Sequence, residues 1–281
     1  MVVEATQSAK LPPADSIFGS TPAMRDVRFR VEQAQAEGSP LFIEGENGTG
    51  KEVVARHFHV HSRRAEGAFV RVNCGAIPAR LLEEEMFGSV DASGKRQDRS
   101  HATSMGMAAG GTLFLDEIAD LDLRLQRRLV DVLQTSSPGI EGTGHARVVC
   151  ASRLELDKAL GSGRILGSLA RAFGDRVRLL PLRERKEDIP KLCAYLVDKF
   201  ARSFGRPAPS LSPYVLEAFQ QWSWPGNIRE LENWVARIVI FGTEEAIGME
   251  FMSQLDVTPK ERRHRAVYGN SDRQRRSSRR I

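Results

Sequence analysis

Residues 45–51 read Gly45-Glu46-Asn47-Gly48-Thr49-Gly50-Lys51, directly behind the apolar run Leu41-Phe42-Ile43 and directly ahead of a helical pattern that starts at Lys51. The spacing G-x-x-x-x-G-K between strand and helix constrains this chain more than any other feature. Its glycines permit a tight turn whose backbone N–H groups close around anionic oxygens. The start of the helix aims the positive end of its dipole at the same point, and Lys51 adds a mobile charge. A phosphate loop of this kind belongs to an α/β fold. The next residue is Glu52, where a Ser or Thr would offer a hydroxyl to a metal ion.

Four further apolar runs follow: Phe69-Val70-Arg71-Val72, Thr112-Leu113-Phe114-Leu115, Arg147-Val148-Val149-Cys150 and Val177-Arg178-Leu179-Leu180. Helical patterns alternate with them, which predicts a mostly parallel five-stranded sheet covered on both faces. The third run ends in Asp116-Glu117. That position puts two carboxylates at the C-terminal edge of the sheet, beside the phosphate loop. Asp116 is then placed to hold Mg²⁺ through water, and Glu117 to polarise an attacking water.

After Pro181 the strand patterns stop, and 188–204, 213–222 and 227–241 read as helices. The expected organisation is a flexible lead-in over 1–15, an α/β nucleotide-binding subdomain over 16–185, a helical lid over 186–255, and a basic, disordered tail over 256–281. The formal charge of +5 is misleading. Residues 258–281 alone carry nine Lys/Arg and two Asp/Glu, a net of +7, which leaves the body near balance at −2. Basicity therefore does not mark the body as a DNA-binding fold. Cys74, Cys150 and Cys193 are far apart and flanked by apolar residues; they read as buried free thiols, not metal ligands. The chain has neither an apolar signal-peptide core nor a run of about 20 apolar residues, so a cytoplasmic location without a membrane partner is the expectation.

GENGTGKE (45–52), Val72-Asn73-Cys74, Glu85-Met86-Phe87-Gly88, GGTLFLDEIADL (110–121), PLRERKEDIP (181–190) and WPGNIRELEN (224–233) occur in this order. Together they resemble the AAA+ ATPase domain of sigma-54-dependent transcriptional activators over roughly residues 16–255, a family that also carries glutamate at the position of Glu52. The resemblance implies an AAA+ P-loop fold, ATP and Mg²⁺ as cofactors, hydrolysis to ADP and phosphate, and a ring, expected to be a hexamer. It assigns phosphate binding to Gly45, Glu46, Asn47, Gly48, Thr49, Gly50, Lys51 and Glu52, and catalysis to Asp116 and Glu117. Asn73 matches an asparagine that restrains the catalytic glutamate. Arg229 matches the lid arginine that senses the γ-phosphate. Ile17 and Phe18 match a segment packed on adenine, with ordinary core packing an equal alternative. Arg171 matches an arginine finger that reaches a neighbouring subunit.

The chain also departs from the family. A second arginine is expected six residues before Arg171, where Ile165 stands beside Arg164. The sensor strand reads Cys150-Ala151-Ser152-Arg153, with Ser152 assigned to the place of an asparagine, which implies slower hydrolysis. The GAFTGA loop that contacts sigma-54 falls within 89–109, where the tip reads Ala92-Ser93-Gly94-Lys95-Arg96-Gln97. A basic tip buries less surface against a protein than an aromatic one, which counts against the usual sigma-54 contact. Sixteen leading residues are too few for a receiver domain, and the tail is too short for a helix-turn-helix. The arginines of 258–281 suit non-specific contact with DNA phosphates. Two alternatives stay open: a nucleotide-dependent assembly or sequestering regulator that does not remodel polymerase, and a decayed member of the family.

Overall fold

The computed structural model describes residues 3–5, 11–88, 103–135, 145–244 and 251. Most of the 89–109 loop and the 258–281 tail, including the tip at 92–97, lie outside the described residues. Contacts divide the chain into two units. One contains the residues up to Asp188 together with Gly226–Arg229; the other contains Ile189–Pro225 and the described residues from Glu230 onward.

In the first unit the apolar runs form a parallel sheet. Its strands are β2 (Leu41–Glu44), β3 (Phe69–Asn73), β4 (Thr112–Asp116), β5 (Arg147–Ser152) and β6 (Asp175–Arg178). A short strand β1 (Val3–Ala5) adds antiparallel to β3, giving the order β1-β3-β4-β5-β2-β6. The lead-in expected to be flexible thus supplies a strand, because the open edge of β3 offers unpaired backbone groups that any extended segment can bind. The helices of this unit are α1 (Ala14–Phe18), α2 (Pro22–Glu37), α3 (Lys51–Val60), α4 (Ala79–Phe87), α5 (Ser104–Met107), α6 (Leu123–Thr135), α7 (Leu156–Gly161) and α8 (Gly167–Ala172).

The strands read as unbroken apolar runs because both faces of the sheet are buried. Side-chain alternation then sorts neighbouring residues into two cores. Phe42, Leu113, Leu115, Val148 and Cys150 pack with Leu82, Met86, Leu129 and Leu169 on one face. Leu41, Ile43, Phe114, Val149 and Ala151 pack with Phe18, Met24, Val31, Val54 and Phe58 on the other. All three cysteines are buried and free.

Register sets the functional edge. Asn73 pairs with Asp116 across β3 and β4, and Glu44 lies opposite both Ser152 and Arg178. β2 sits between β5 and β6, so the connections leaving β2 and β5 run in opposite directions. A crevice forms at the C-terminal ends of strands where the order switches in this way.

The second unit is helical: α9 (Ile189–Phe204), α10 (Pro213–Gln221) and the greater part of α11 (Asn227–Phe241). Ser212 caps α10 by accepting from the Val215 N–H at 3.3 Å, and Pro213 occupies the first turn, where its missing N–H costs nothing. Phe251 is surrounded by Phe219, Trp222, Trp224 and Trp234, with ring centroids 5.0–5.9 Å away. Trp224 donates its indole N–H to the Phe219 carbonyl at 2.7 Å, which satisfies the one polar atom of a fully buried ring. No described helix is long and apolar enough to cross a membrane.

Two measurements test this packing. Phe114 is fully buried and stacks on Phe69 with centroids 5.8 Å apart. Phe114→Ala is expected to lower unfolding free energy by about 3–5 kcal/mol in urea; a loss under 1 kcal/mol would contradict the two-faced core. His57 is buried edge-on to Phe18 at 5.1 Å. Burial, helped by the nearby charges of His61 and Arg28, pushes its pKa down to about 4. The folded state thus refuses a proton that the unfolded chain accepts below pH 6.5. His57 leaves stability untouched above that value and erodes it as pH falls towards 4, by about 2–3 kcal/mol. Urea midpoints taken from pH 7 to pH 4 should fall less steeply in His57→Phe.

Candidate functional site

The phosphate loop wraps the start of α3 at the C-terminal end of β2. Gly45 and Gly48 take positive φ angles of 159° and 79°. A side chain at Gly48 would meet the Gly226 carbonyl at 2.2 Å, so only glycine fits. Thr49 folds back, its hydroxyl donating to the Glu46 carbonyl at 2.8 Å.

Lys51 is only 7% exposed. Its ammonium donates to the carbonyls of Gly45 at 2.8 Å and Glu46 at 3.3 Å, and lies 3.6 Å from Glu117 Oε1. Burial pushes the Lys51 pKa down, against the opposing pull of Glu117 and Asp116. A buried ammonium held by weak carbonyl acceptors and one carboxylate gains by meeting a polyanion.

The second wall is the end of β4. Glu117 adopts φ 56° and ψ 51°, a left-handed conformation uncommon for a residue with a side chain and concentrated at functional positions. Its carboxylate accepts from the Arg153 N–H at 3.1 Å while facing Lys51. Asp116 Oδ2 accepts from Arg71 at 2.9 Å, and the same guanidinium lies 3.2 Å from Glu52. Glu52 is also held by Arg56, one helical turn on, at 2.8 Å.

Mg²⁺ prefers hard oxygen donors and is commonly held by one or two carboxylates together with substrate phosphates. The Asp116 carboxylate, at the sheet edge beside the phosphate loop, supplies that chemistry, and the guanidinium on it marks a place that accepts positive charge. No cluster of three or more His, Cys, Asp or Glu suited to a metal occurs among the described residues. One carboxylate at this edge fits a metal that takes its other oxygens from substrate phosphates.

The segment Gly226–Arg229 closes on the loop. Asn227 is fully buried with φ 53°. Its amide donates to Glu46 Oε2 at 3.2 Å and to the Asn47 carbonyl at 2.9 Å, and its oxygen accepts from the Leu182 N–H at 2.8 Å. Ile228 N–H donates to the Gly48 carbonyl at 2.9 Å. Arg183 grips the Glu46 carboxylate through both terminal nitrogens, at 2.6 and 2.8 Å, and that grip holds the Glu46 carboxyl below the usual range. Arg185, 1% exposed, braces the loop from behind by donating to the Thr49 carbonyl at 3.1 Å. Arg229 is exposed, with its Cβ beside Gly48, and its charge is felt at Lys51.

The remaining sequence-derived residues are dispersed. Asn73 sits beside Asp116 in the ladder, and its side-chain oxygen accepts from the Gly75 N–H at 3.1 Å. Ile17 and Phe18 are buried in the core around α2 and α3. Their segment is fixed by Asp188, which accepts from the Ser20 N–H at 2.7 Å and hydroxyl at 2.9 Å. Ser152, expected to face the nucleotide, is fully buried and spends its hydroxyl on the backbone of Leu154, at 2.9 and 3.0 Å. Its neighbour Arg153 meets Glu117 through the backbone N–H, while the Arg153 side chain lies 3.4 Å from Asp120. Arg171 is exposed in the last turn of α8. Ile165 is core, 3% exposed, and Arg164 pairs with Asp120 at 3.4 Å.

Sequence reasoning gave no role to Asn227, Arg183, Arg185, Arg71 or Arg153. A charged residue inside the otherwise apolar run 69–72 was the one local signal for Arg71, and the Gly-Asn pair before a helix the one for Asn227.

The Sigma-54 interaction domain matches residues 17–171, and an AAA+ ATPase lid domain matches 183–266. The chain is 36% identical over 249 residues to the Nif-specific regulatory protein of Azospirillum brasilense, which covers 86% of this chain and 39% of that protein. It is 36% identical over 237 residues to the response regulator protein PilR of Pseudomonas aeruginosa, covering 82% and 53%. The crystal structure of NtrX from Brucella abortus in complex with ATP superposes with a TM-score of 0.70 at 30% identity, covering 84% of this chain and 52% of that one. The chain belongs to the sigma-54 interaction domain family of AAA+ P-loop proteins. It spans about two fifths to one half of the length of these curated relatives.

Asn227→Ala would strip partners from the Leu182 N–H and the Asn47 carbonyl and keep the left-handed backbone. It is expected to lower unfolding free energy by about 2–3 kcal/mol. Asn227→Gly, which relaxes the backbone, should recover about 1 kcal/mol of that. Equal urea midpoints for the two variants would show that backbone strain contributes nothing there.

Proposed function

We propose that this chain binds ATP with Mg²⁺ and hydrolyses it as the motor of a sigma-54-type transcription regulator. The carrying observation is the juxtaposition of Lys51 and Glu117 across the phosphate loop, 3.6 Å apart. Family membership and the likeness to the ATP complex of NtrX support the same reading.

The loop N–H groups and Lys51 take the phosphates, and the γ-phosphate draws the ammonium away from its carbonyl acceptors. Glu117, relieved of Lys51, is then available to receive a proton from water attacking in line. Asp116 is the residue that would hold Mg²⁺, which supplies charge neutralisation at the β- and γ-oxygens when bound. Arg229, whose charge acts on Lys51, is the candidate to register the phosphate. Asn73 is a candidate restraint on Glu117, and Glu46, Asn47, Gly48, Thr49 and Gly50 shape the cradle. An exposed Arg171 suits a role in a neighbouring subunit of a ring, for which a hexamer is the family expectation.

Two observations favour a second reading, a regulator that assembles on nucleotide with little or no turnover. Ser152 is withdrawn into the strand end, and the place of a second finger arginine is filled by the core residue Ile165. Phosphate release per protomer as a function of protein concentration separates the two. A rate that climbs with assembly supports the motor; assembly without turnover supports the second reading.

The direct test uses a fluorescent ATP analogue and phosphate release. Lys51→Ala should weaken binding at least tenfold, and Glu117→Gln should keep binding while slowing hydrolysis by about 10²–10⁴-fold. Unaltered binding by Lys51→Ala would defeat the assignment.

A further inference from the structure

The motor reading gives Asp116 to a metal ion and leaves Arg71 without a role, yet Arg71 is the residue that holds Asp116. It projects from the middle of β3 and reaches two carboxylates that come from different elements. Its guanidinium is 2.9 Å from Asp116 Oδ2 at the end of β4 and 3.2 Å from Glu52 in the first turn of α3. All three side chains are largely shielded, with 28%, 16% and 33% exposure. In that setting one positive charge relieves the repulsion between an acidic group at the end of β4 and another in the first turn of the phosphate loop's helix.

Any divalent cation that uses the Asp116 carboxylate must share it with this guanidinium or displace it. The geometry points to Arg71 as a built-in competitor for the metal position. It holds Asp116 and Glu52 together without metal and sets the divalent-cation concentration at which the nucleotide site is completed. Arg71 is a positioning residue in this scheme, acting through Asp116. Glu52 has a matching purpose. Where other phosphate loops place a hydroxyl for the metal, this chain places a carboxylate that keeps the guanidinium tethered when Asp116 is released. Arg56 serves as an internal control, since it holds Glu52 at 2.8 Å and packs over Phe69 at 4.6 Å.

This inference rests on the ATP reading, and the experiment separates the two. ADP binding by the full chain is measured first in EDTA. Mn²⁺ is then titrated into the chain with ADP, with the loss of the free Mn²⁺ resonance reporting occupancy. Arg71→Ala should bind Mn²⁺ with a midpoint at least about threefold lower than the unaltered chain, because a like charge next to the metal has been removed. Arg71→Lys, which keeps the charge, and Arg56→Ala, which leaves Asp116 paired, should both stay within about twofold. Arg71→Gln carries the same expectation as Arg71→Ala if the alanine variant does not fold. ADP binding with an unmoved or raised Mn²⁺ midpoint in Arg71→Ala, or in Arg71→Gln where the alanine variant does not fold, overturns this inference alone. An equal shift in Arg56→Ala overturns it too, by assigning the effect to Glu52. No ADP binding by the unaltered chain overturns the ATP reading, and this inference with it.

Discussion

A buried lysine ammonium is costly unless something answers its charge, and this fold is arranged around that demand. Lys51 stands at the start of α3 with the backbone of its own loop folded over it. Glu117 faces it from the end of β4, one strand removed from β2. Parallel pairing through β5 brings the C-terminal ends of β2 and β4 to the same edge. The two cores keep that edge rigid, so ammonium and carboxylate meet without either side chain having to be held by a flexible loop.

Around this pair lies a shell of arginines, each with a separate task. Arg183 fixes Glu46 on the loop's outer face, Arg185 supports Thr49 from beneath, and Arg71 spans Glu52 and Asp116. Buried or half-buried ion pairs of this kind contribute little net stability, since desolvation offsets attraction. Their value is geometric: they hold acidic groups in one arrangement at a place where a polyanion is expected. Burial pushes the Arg185 pKa down to about 10, against the opposing pull of Asp188.

The parts of this architecture that could be read from the sequence are those encoded within a few residues. The phosphate loop is a local pattern of glycines before a lysine, and the strands are short apolar runs bounded by breakers. β6 was expected at 177–180 and lies at Asp175–Arg178, because the apolar run continues past the last ladder pair while Leu179 still donates to the Glu44 carbonyl. The lead-in strand was missed because pairing to an exposed edge depends on backbone groups, not on side-chain pattern. Asn227 meets Glu46 across 181 positions of sequence, and no window along the chain reveals such a contact. Ser152 closes onto the backbone of Leu154 two residues on, a contact set by the turn that follows the strand and not by any side-chain pattern.

The left-handed backbone of Glu117 carries a consequence for how such a chain drifts. A side chain there is retained against a conformational penalty of about 1–2 kcal/mol, and glycine would settle into the same geometry freely. Loss of the acid would relax that backbone but leave the buried Lys51 ammonium without its carboxylate. A substitution at this position therefore trades backbone relief against an uncompensated buried charge, so the fold gains nothing by giving up the acid.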